Sequence, residues 1–167
     1  MTLAEAAAQA DELAQAGSER ELANLRTSWQ DDLEGAARSD DFRERAVAFR
    51  AIGQFRWRAK EELLRRGLDD QSPACRGSAL LSLELLSREH PSTVNGVRAM
   101  LHTIATSDGN AAVRRLAILC LKNGSPERNT IVLLEGLAAD DEADGELRRA
   151  AGSVAQQLKK RQPREKR

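Results

Sequence analysis

The side chains able to do chemistry in this sequence are few and scattered. The two histidines, His90 and His102, and the two cysteines, Cys75 and Cys120, form no set at metal-ligand or redox spacing. Both cysteines lie in apolar helical runs and read as small buried hydrophobes in a reducing compartment. His90 stands before Pro91 and reads as a turn residue, and His102 has no second ligand type at a useful spacing. The carboxylate pairs Asp31-Asp32, Asp69-Asp70 and Asp140-Asp141 are read at turns, where capping accounts for them. No glycine-rich phosphate loop and no Gly-x-Ser-x-Gly elbow is present. No catalytic residue, metal ligand or cofactor is therefore assigned, and the expectation is a protein that binds rather than one that catalyses.

Three stretches offer binding chemistry. The first is the basic segment Arg56-Trp57-Arg58-Ala59-Lys60-Glu61-Glu62-Leu63-Leu64-Arg65-Arg66. Here Arg56, Trp57, Arg58 and Arg65 can grip phosphates or an acidic partner, with the indole supplying contact area. Against this, Arg58–Glu62, Glu61–Arg65 and Glu62–Arg66 are spaced i,i+4 on a helix and can neutralise one another. The second is a mixed polar row, Asn95, Arg98, His102, Asn129 and Glu135, of the kind a protein partner can use. The third is the C-terminal run from Lys159 to Arg167, with six bases and one acid, which reads either as a polyanion contact or as a solubilising end.

The charge is unevenly spread. The whole chain balances 26 basic against 26 acidic residues, so no global field draws it to nucleic acid or an anionic membrane. Residues 1–41 carry a net −7, residues 42–66 a net +5, residues 67–139 are neutral and residues 140–167 carry +2. No apolar run reaches 18 residues, and the N-terminus lacks a basic start followed by an apolar core. A cytoplasmic protein without a membrane partner is expected.

The elements that position these side chains are helices. Leu, Ala, Glu, Arg and Gln dominate, whereas there is no Tyr and only three Phe and two Trp. Thr2-Leu3-Ala4-Glu5, Ser18-Glu19-Arg20-Glu21 and Asp41-Phe42-Arg43-Glu44 read as capping boxes. Ser72-Pro73 and Ser125-Pro126 place a capping Ser before a Pro at the first helical position. Gly17, Gly67 and Gly124 mark helix ends, and His90-Pro91 breaks another helix. These signals predict nine helices, near 3–16, 19–36, 41–53, 57–66, 73–89, 92–106, 110–122, 126–138 and 145–160, with short connections that make neighbours antiparallel.

Four of the segments repeat one pattern: an acidic turn, an apolar residue, Arg, two variable residues and Ala. They are Asp40-Asp41-Phe42-Arg43-Glu44-Arg45-Ala46; Asp69-Asp70 with Cys75-Arg76-Gly77-Ser78-Ala79; Asp108 with Val113-Arg114-Arg115-Leu116-Ala117; and Asp140-Asp141 with Leu147-Arg148-Arg149-Ala150-Ala151. The alanines Ala46, Ala79, Ala117 and Ala151 are spaced by 33, 38 and 34 residues, the length of a helix pair with its turns. The Ala permits close helix crossing. The Asp is expected to cap the helix, and the Arg to reach an acidic turn on the next repeat. One helix pair cannot bury its own apolar side, so stacking is required.

The pattern resembles the HEAT and phycobilisome-lyase-type HEAT-like repeat family, with the best match at Asp108 to Ala117 and coverage of about residues 40–160. Phe42 and Cys75 depart from the family's Val, and the turn before Cys75 is longer. The resemblance implies an all-α, armadillo-like α-solenoid of about four helix pairs. It implies that helices 57–66, 92–106 and 126–138 line a concave face, that residues 1–38 form an N-terminal cap and residues 39–160 the repeats, and that 161–167 is a disordered basic tail. Some members of that family are alkyl-base DNA glycosylases, using an Asp and Trp residues in a basic groove. Trp29 and Trp57 are present here, but no Asp maps onto the catalytic one. Lyase-type action on a chromophore protein also occurs in the wider family. The expected function is a non-enzymatic protein-interaction scaffold or complex subunit binding a protein partner through the concave face. The alternative is nucleic-acid binding through 56–66 and the basic tail.

Overall fold

The computed structural model describes residues 1–163, so the part of the basic tail from Arg164 onward lies outside the described residues. Among the described residues all regular structure is helical. The order is α1 (Leu3–Gln15), α2 (Glu19–Ala37), α3 (Phe42–Gln54), a 3₁₀ turn (Arg58–Lys60), α4 (Glu61–Leu68), α5 (Pro73–Ser87), α6 (Ser92–Asn95), α7 (Arg98–Ser107), α8 (Ala111–Leu121), α9 (Arg128–Ala139) and α10 (Gly145–Arg161). Met1–Leu86 and the chain from Ser87 onward form two compact units.

Local chemistry explains most of the boundaries. Thr2 and Glu5 form the expected capping box, the Thr2 backbone N–H donating to Glu5 Oε2 at 2.8 Å and the Glu5 N–H to Thr2 Oγ1 at 3.2 Å. Helix α1 ends at Gly17, whose φ of +73° is left-handed. There Ser18 N–H donates to Leu13 O and Gly17 N–H to Ala14 O, the paired bonds of a Schellman motif. The second expected capping box is not formed, since the Ser18 side chain makes no capping bond at the start of α2. At α3 the cap is a simple one, Asp41 accepting from the Arg43 N–H. Asp31-Asp32, read as a turn pair, lies inside α2.

Three other expectations change. Residues 92–106 are two helices, not one, because the chain breaks at Gly96 and Val97, and Asn95 turns its side chain to the Ser125 N–H and to Arg98. The helix expected from Pro126 starts at Arg128, with Glu127 as its cap residue and no Ser125 capping bond. Gly67 does not end a helix. It sits inside α4, where a Cβ would lie 2.9 Å from the Ala79 Cβ and 3.1 Å from the Phe49 ring, so its role is close approach.

In the first unit, α1, α2 and α3 pack against one another and α4 packs on α3. The fully buried residues of α1 are all small: Ala6, Ala7 and Ala10. Leu22, Leu33, Phe49, Ile52, Phe55 and Leu64 fill the space they leave. In the second unit, α7 packs on α8, α10 packs on both α8 and α9, and α7 touches α9. Leu101, Ile118, Leu121, Leu134, Leu147 and Leu158 form its core, each burial contributing about 1.5–3 kcal/mol.

The repeat pattern holds in three segments and is displaced in the first. Ala79, Ala117 and Ala151 are fully buried, and so are Cys75 and Leu147, with Val113 nearly so. Ala46 is only partly buried and Phe42 is 47% exposed. The buried alanine of the first segment is Ala48, three residues after Arg45. Arg45 Nη1 donates to Ser39 O and Asp40 O, just as Arg76 Nη1 donates to Asp70 O and Gln71 O. The first repeat therefore reads Arg45-Ala46-Val47-Ala48, two residues later than an alignment on Phe42 suggests.

The roles of the marker residues also differ from expectation. Asp70, Asp108 and Asp140 do not cap helices but accept from the backbone N–H two residues on, of Ser72, Asn110 and Glu142, at 2.9, 2.9 and 3.0 Å. They are Asx turns that reverse the chain. The caps proper are Asn110 on the Val113 N–H and Asp144 on the Leu147 N–H. Arg114 and Arg148 fold back onto Ala105 O and Ala138 O, carbonyls at the end of the preceding helix, instead of bridging to the next repeat. Bridging falls to other arginines: Arg45 grips Asp70 with two bonds, at 2.9 and 3.0 Å, and Arg115 pairs with Glu146.

Candidate binding site

The basic segment of the first unit is not one helix. Arg56 and Trp57 precede the 3₁₀ turn, and the α-helix begins only at Glu61. Arg56 takes a left-handed φ of +52°, closing α3 as Gly17 closes α1, with Trp57 N–H donating to Ile52 O and Arg56 N–H to Gly53 O. Its guanidinium pairs with Asp11 at 2.8 Å and donates to Gly53 O and Gln54 O. Arg26 of α2 donates to Phe55 O at 2.8 Å and Arg56 O at 3.0 Å. Two arginines thus satisfy the orphan carbonyls at this helix end.

Three more side chains of the segment are similarly engaged. Trp57 is 7% exposed and stacks at a tilt on Phe55, with ring centroids 5.4 Å apart. Lys60 sits 5.3 Å from the Trp57 ring centre and pairs with Glu34, whose carboxyl it holds below its ordinary value. Arg58 pairs with Glu61 at 3.6 Å. Arg65 is exposed on α4.

The polar row of the second unit divides into two places. Asn95, Arg98 and His102 come together with residues the row did not include. Arg98 is 14% exposed at its side chain, donates to Asn95 Oδ1, and pairs with Glu127 at 2.7 Å. Asn95 Oδ1 also accepts from the Ser125 N–H at 2.9 Å. His102 Nε2 lies 2.9 Å from Oγ1 of the buried Thr130. Burial pushes the His102 imidazole below its ordinary value, the Arg98 cation adds to this, and Glu127 opposes it. This cluster ties α6 and α7 to the start of α9.

Asn129 and Glu135 lie on the exposed face of α9, with Asn129 Oδ1 accepting from the Thr130 N–H at 2.9 Å. Between them stands Val132, a large apolar side chain 59% exposed. Glu135 pairs with Lys159 of α10 at 2.6 Å, beside an open hollow floored by Ala138, Gly152 and Ala155. Arg161, assigned to the tail, is the last residue of α10 and donates to Lys122 O and Gly124 O.

Glu127, Thr130 and Val132 were missed because nothing local marks them. Glu127 and Thr130 matter through residues 28–29 positions earlier, and Val132 matters because its neighbours leave it uncovered. Among the described residues no three His, Cys, Asp or Glu side chains gather as a metal-ligand set, and no helix is long and apolar enough to cross a membrane. No protein-family model matches the sequence, and no curated protein is significantly similar to it.

Proposed function

We propose that this chain is a non-enzymatic, HEAT-like helical scaffold that binds a protein partner through the exposed face of α9, around Asn129, Val132 and Glu135. The observation that carries the reading is Val132, more than half exposed and placed one turn from a polar side chain on either side. An apolar centre with a polar rim is the anatomy of a protein contact. The Arg98–Asn95–Glu127 and His102–Thr130 contacts support the start of α9 beneath it, so that face needs little ordering on binding. Nucleic-acid binding through the basic segment has less support, since Arg56, Arg58 and Lys60 each pair with a carboxylate and Trp57 is buried.

The test is affinity purification of the tagged protein from its native host, with and without nuclease, comparing wild type with Val132→Arg. A protein partner that survives nuclease and is lost from Val132→Arg supports the α9 surface. A partner retained equally by both sinks it. Recovery of nucleic acid, with affinity falling steeply as salt rises, would favour the basic-segment alternative.

A further inference from the structure

In the first unit, α3 carries Arg43, Val47, Arg50 and Gln54 along one side, at the helical spacings of four, three and four residues. Two hollows open along this side. One, of about 540 Å³, is lined by Leu3, Ala4, Ala36 and Val47, with Thr2, Arg43 and Glu44 also bordering it. The other, of about 260 Å³, is lined by Ala4, Ala46, Val47, Arg50, Gln54 and Ser78. Ala4 and Val47 border both, so the two are adjacent: an apolar compartment beside a polar one.

Arg50 lines the polar compartment and makes no ion pair among the described residues. Arg50 Nη1 is buried and is the one buried side-chain nitrogen or oxygen without a hydrogen-bond partner among the described residues. A guanidinium nitrogen left unpaired away from water is costly, and buried charges are ordinarily paired. The compartment's other polar side chains are the amide of Gln54 and the hydroxyl of Ser78, and no carboxylate lines it. Glu5 is turned back onto the Thr2 N–H at 2.8 Å, and Glu44 borders the apolar compartment. Arginine presents a planar fork that a carboxylate matches with two bonds.

We propose that this α3 groove is a binding site for an acidic–apolar peptide segment, its carboxylate received by Arg50, Gln54 and Ser78 and an adjacent aliphatic side chain seated on Leu3, Ala4, Ala36 and Val47. Val47 and Arg50 are three residues apart, about 4.5 Å along the helix axis, within the reach of neighbouring side chains on one short peptide. Both compartments open to solvent, which suits a peptide laid along the helix better than an enclosed free lipid. The site is in the other unit from the α9 face and stands or falls independently of it.

The experiment is an NMR titration of the full chain, reading backbone amides and the arginine side-chain Nε–H signals. The probes are blocked Leu-Glu-Leu, blocked Leu-Gln-Leu and octanoate, with wild type, Arg50→Met and Arg50→Lys. The expected result is saturable shifts at Arg50 and Val47 with Leu-Glu-Leu, at least tenfold weaker binding of Leu-Gln-Leu, and loss of binding in Arg50→Met. Arg50→Met should also melt at or above the wild-type temperature, because it keeps the aliphatic stem and removes an unpaired buried nitrogen. Arg50→Lys, which keeps charge but not the fork, should weaken binding several-fold. Equal binding of the Glu and Gln peptides, or undiminished binding to Arg50→Met, overturns the proposal. Shifts with octanoate but not with Leu-Glu-Leu overturn the peptide assignment in favour of a free fatty acid.

Discussion

Gly53 and Ser82 mark a close crossing of α3 and α5: the Gly53 N–H donates to Ser82 Oγ at 2.9 Å, and a Cβ at position 53 would stand 2.6 Å from the Ser82 Cα. The Ser82 hydroxyl, fully buried, donates in turn to the Phe49 carbonyl, so α3 and α5 are joined by a polar bond inside an apolar core. A backbone atom cannot move aside as a side-chain tip can. Gly53→Ala should therefore destabilise the protein by about 1–3 kcal/mol, as overpacking does. Gly136→Ala, where a Cβ meets nothing within 4 Å, should instead stabilise α9 by about 0.5–1 kcal/mol. Urea unfolding of the two variants checks both signs, and equal effects would refute the crossing.

Arg56 occupies a backbone conformation that glycine prefers, and the reason is its side chain. The left-handed φ of +52° costs about 1–2 kcal/mol for a residue with a Cβ. The bonds to Asp11, Gly53 O and Gln54 O offset that cost. Arg56→Ala loses the bonds and keeps the strain, whereas Arg56→Gly loses the bonds and relieves it. Arg56→Gly should thus be more stable than Arg56→Ala by about 1 kcal/mol. In the Asp11→Asn background both should matter less than in wild type. Thermal melts of the double-mutant cycle measure the coupling, and a cycle that adds without coupling would count against the pair.

Arg45, not Arg43, should be the arginine that holds the first repeat to the next. Arg45 is 21% exposed and Asp70 11% at their side chains, whereas Arg43 is 80% exposed. Arg45→Ala should lower the urea midpoint and Arg43→Ala should leave it nearly unchanged. For Asp70, burial raises the carboxyl pKa, but bonds from Arg45 and the Ser72 N–H outweigh it and leave the group below its ordinary value. A carboxylate depressed in the fold stabilises above its unfolded value of about 3.9, and that contribution is lost as pH falls through the lower folded value. Asp70→Asn should therefore flatten the acid limb of the stability curve below about pH 4. An unchanged acid limb would show that the pair contributes nothing.

His102 gives a second pH effect, in the opposite part of the scale from Asp70. Its imidazole is held below the ordinary value by burial and by Arg98. The unfolded chain then takes up this proton first as pH falls, so the folded state loses stability from about pH 6.5 downward through the lower folded value. Above about pH 7.5 both states hold the neutral ring and the contribution is fully present. His102→Gln, which can still meet Thr130, should remove this slope while keeping the neutral-pH stability close to wild type. Denaturant midpoints from pH 5 to 8 test it, and a His102→Gln curve parallel to wild type would sink the assignment.

Much of the helical architecture was legible because it is written locally. The Thr2–Glu5 box, the Gly17 stop, the buried Ala79, Ala117 and Ala151, and the all-helical content depend on residues within a turn or two of one another. The candidate site was far less legible. Arg56 and Lys60 looked like a contact surface because a sequence shows a basic run, not the Asp11 and Glu34 that engage it from other helices.

The sequence by itself determined that this chain forms short amphipathic helices with tight turns, because capping, helix propensity and the Arg-x-x-Ala spacing act over a few residues. Only the tertiary structure decided what each charge does. It set Arg45 rather than Arg43 against Asp70, bound His102 to Thr130, left Val132 uncovered, and buried Arg50 Nη1 without a hydrogen-bond partner among the described residues. The physical reason is distance along the chain. Ion pairing and desolvation act between residues brought together from separate helices, and no local pattern encodes which helix faces which.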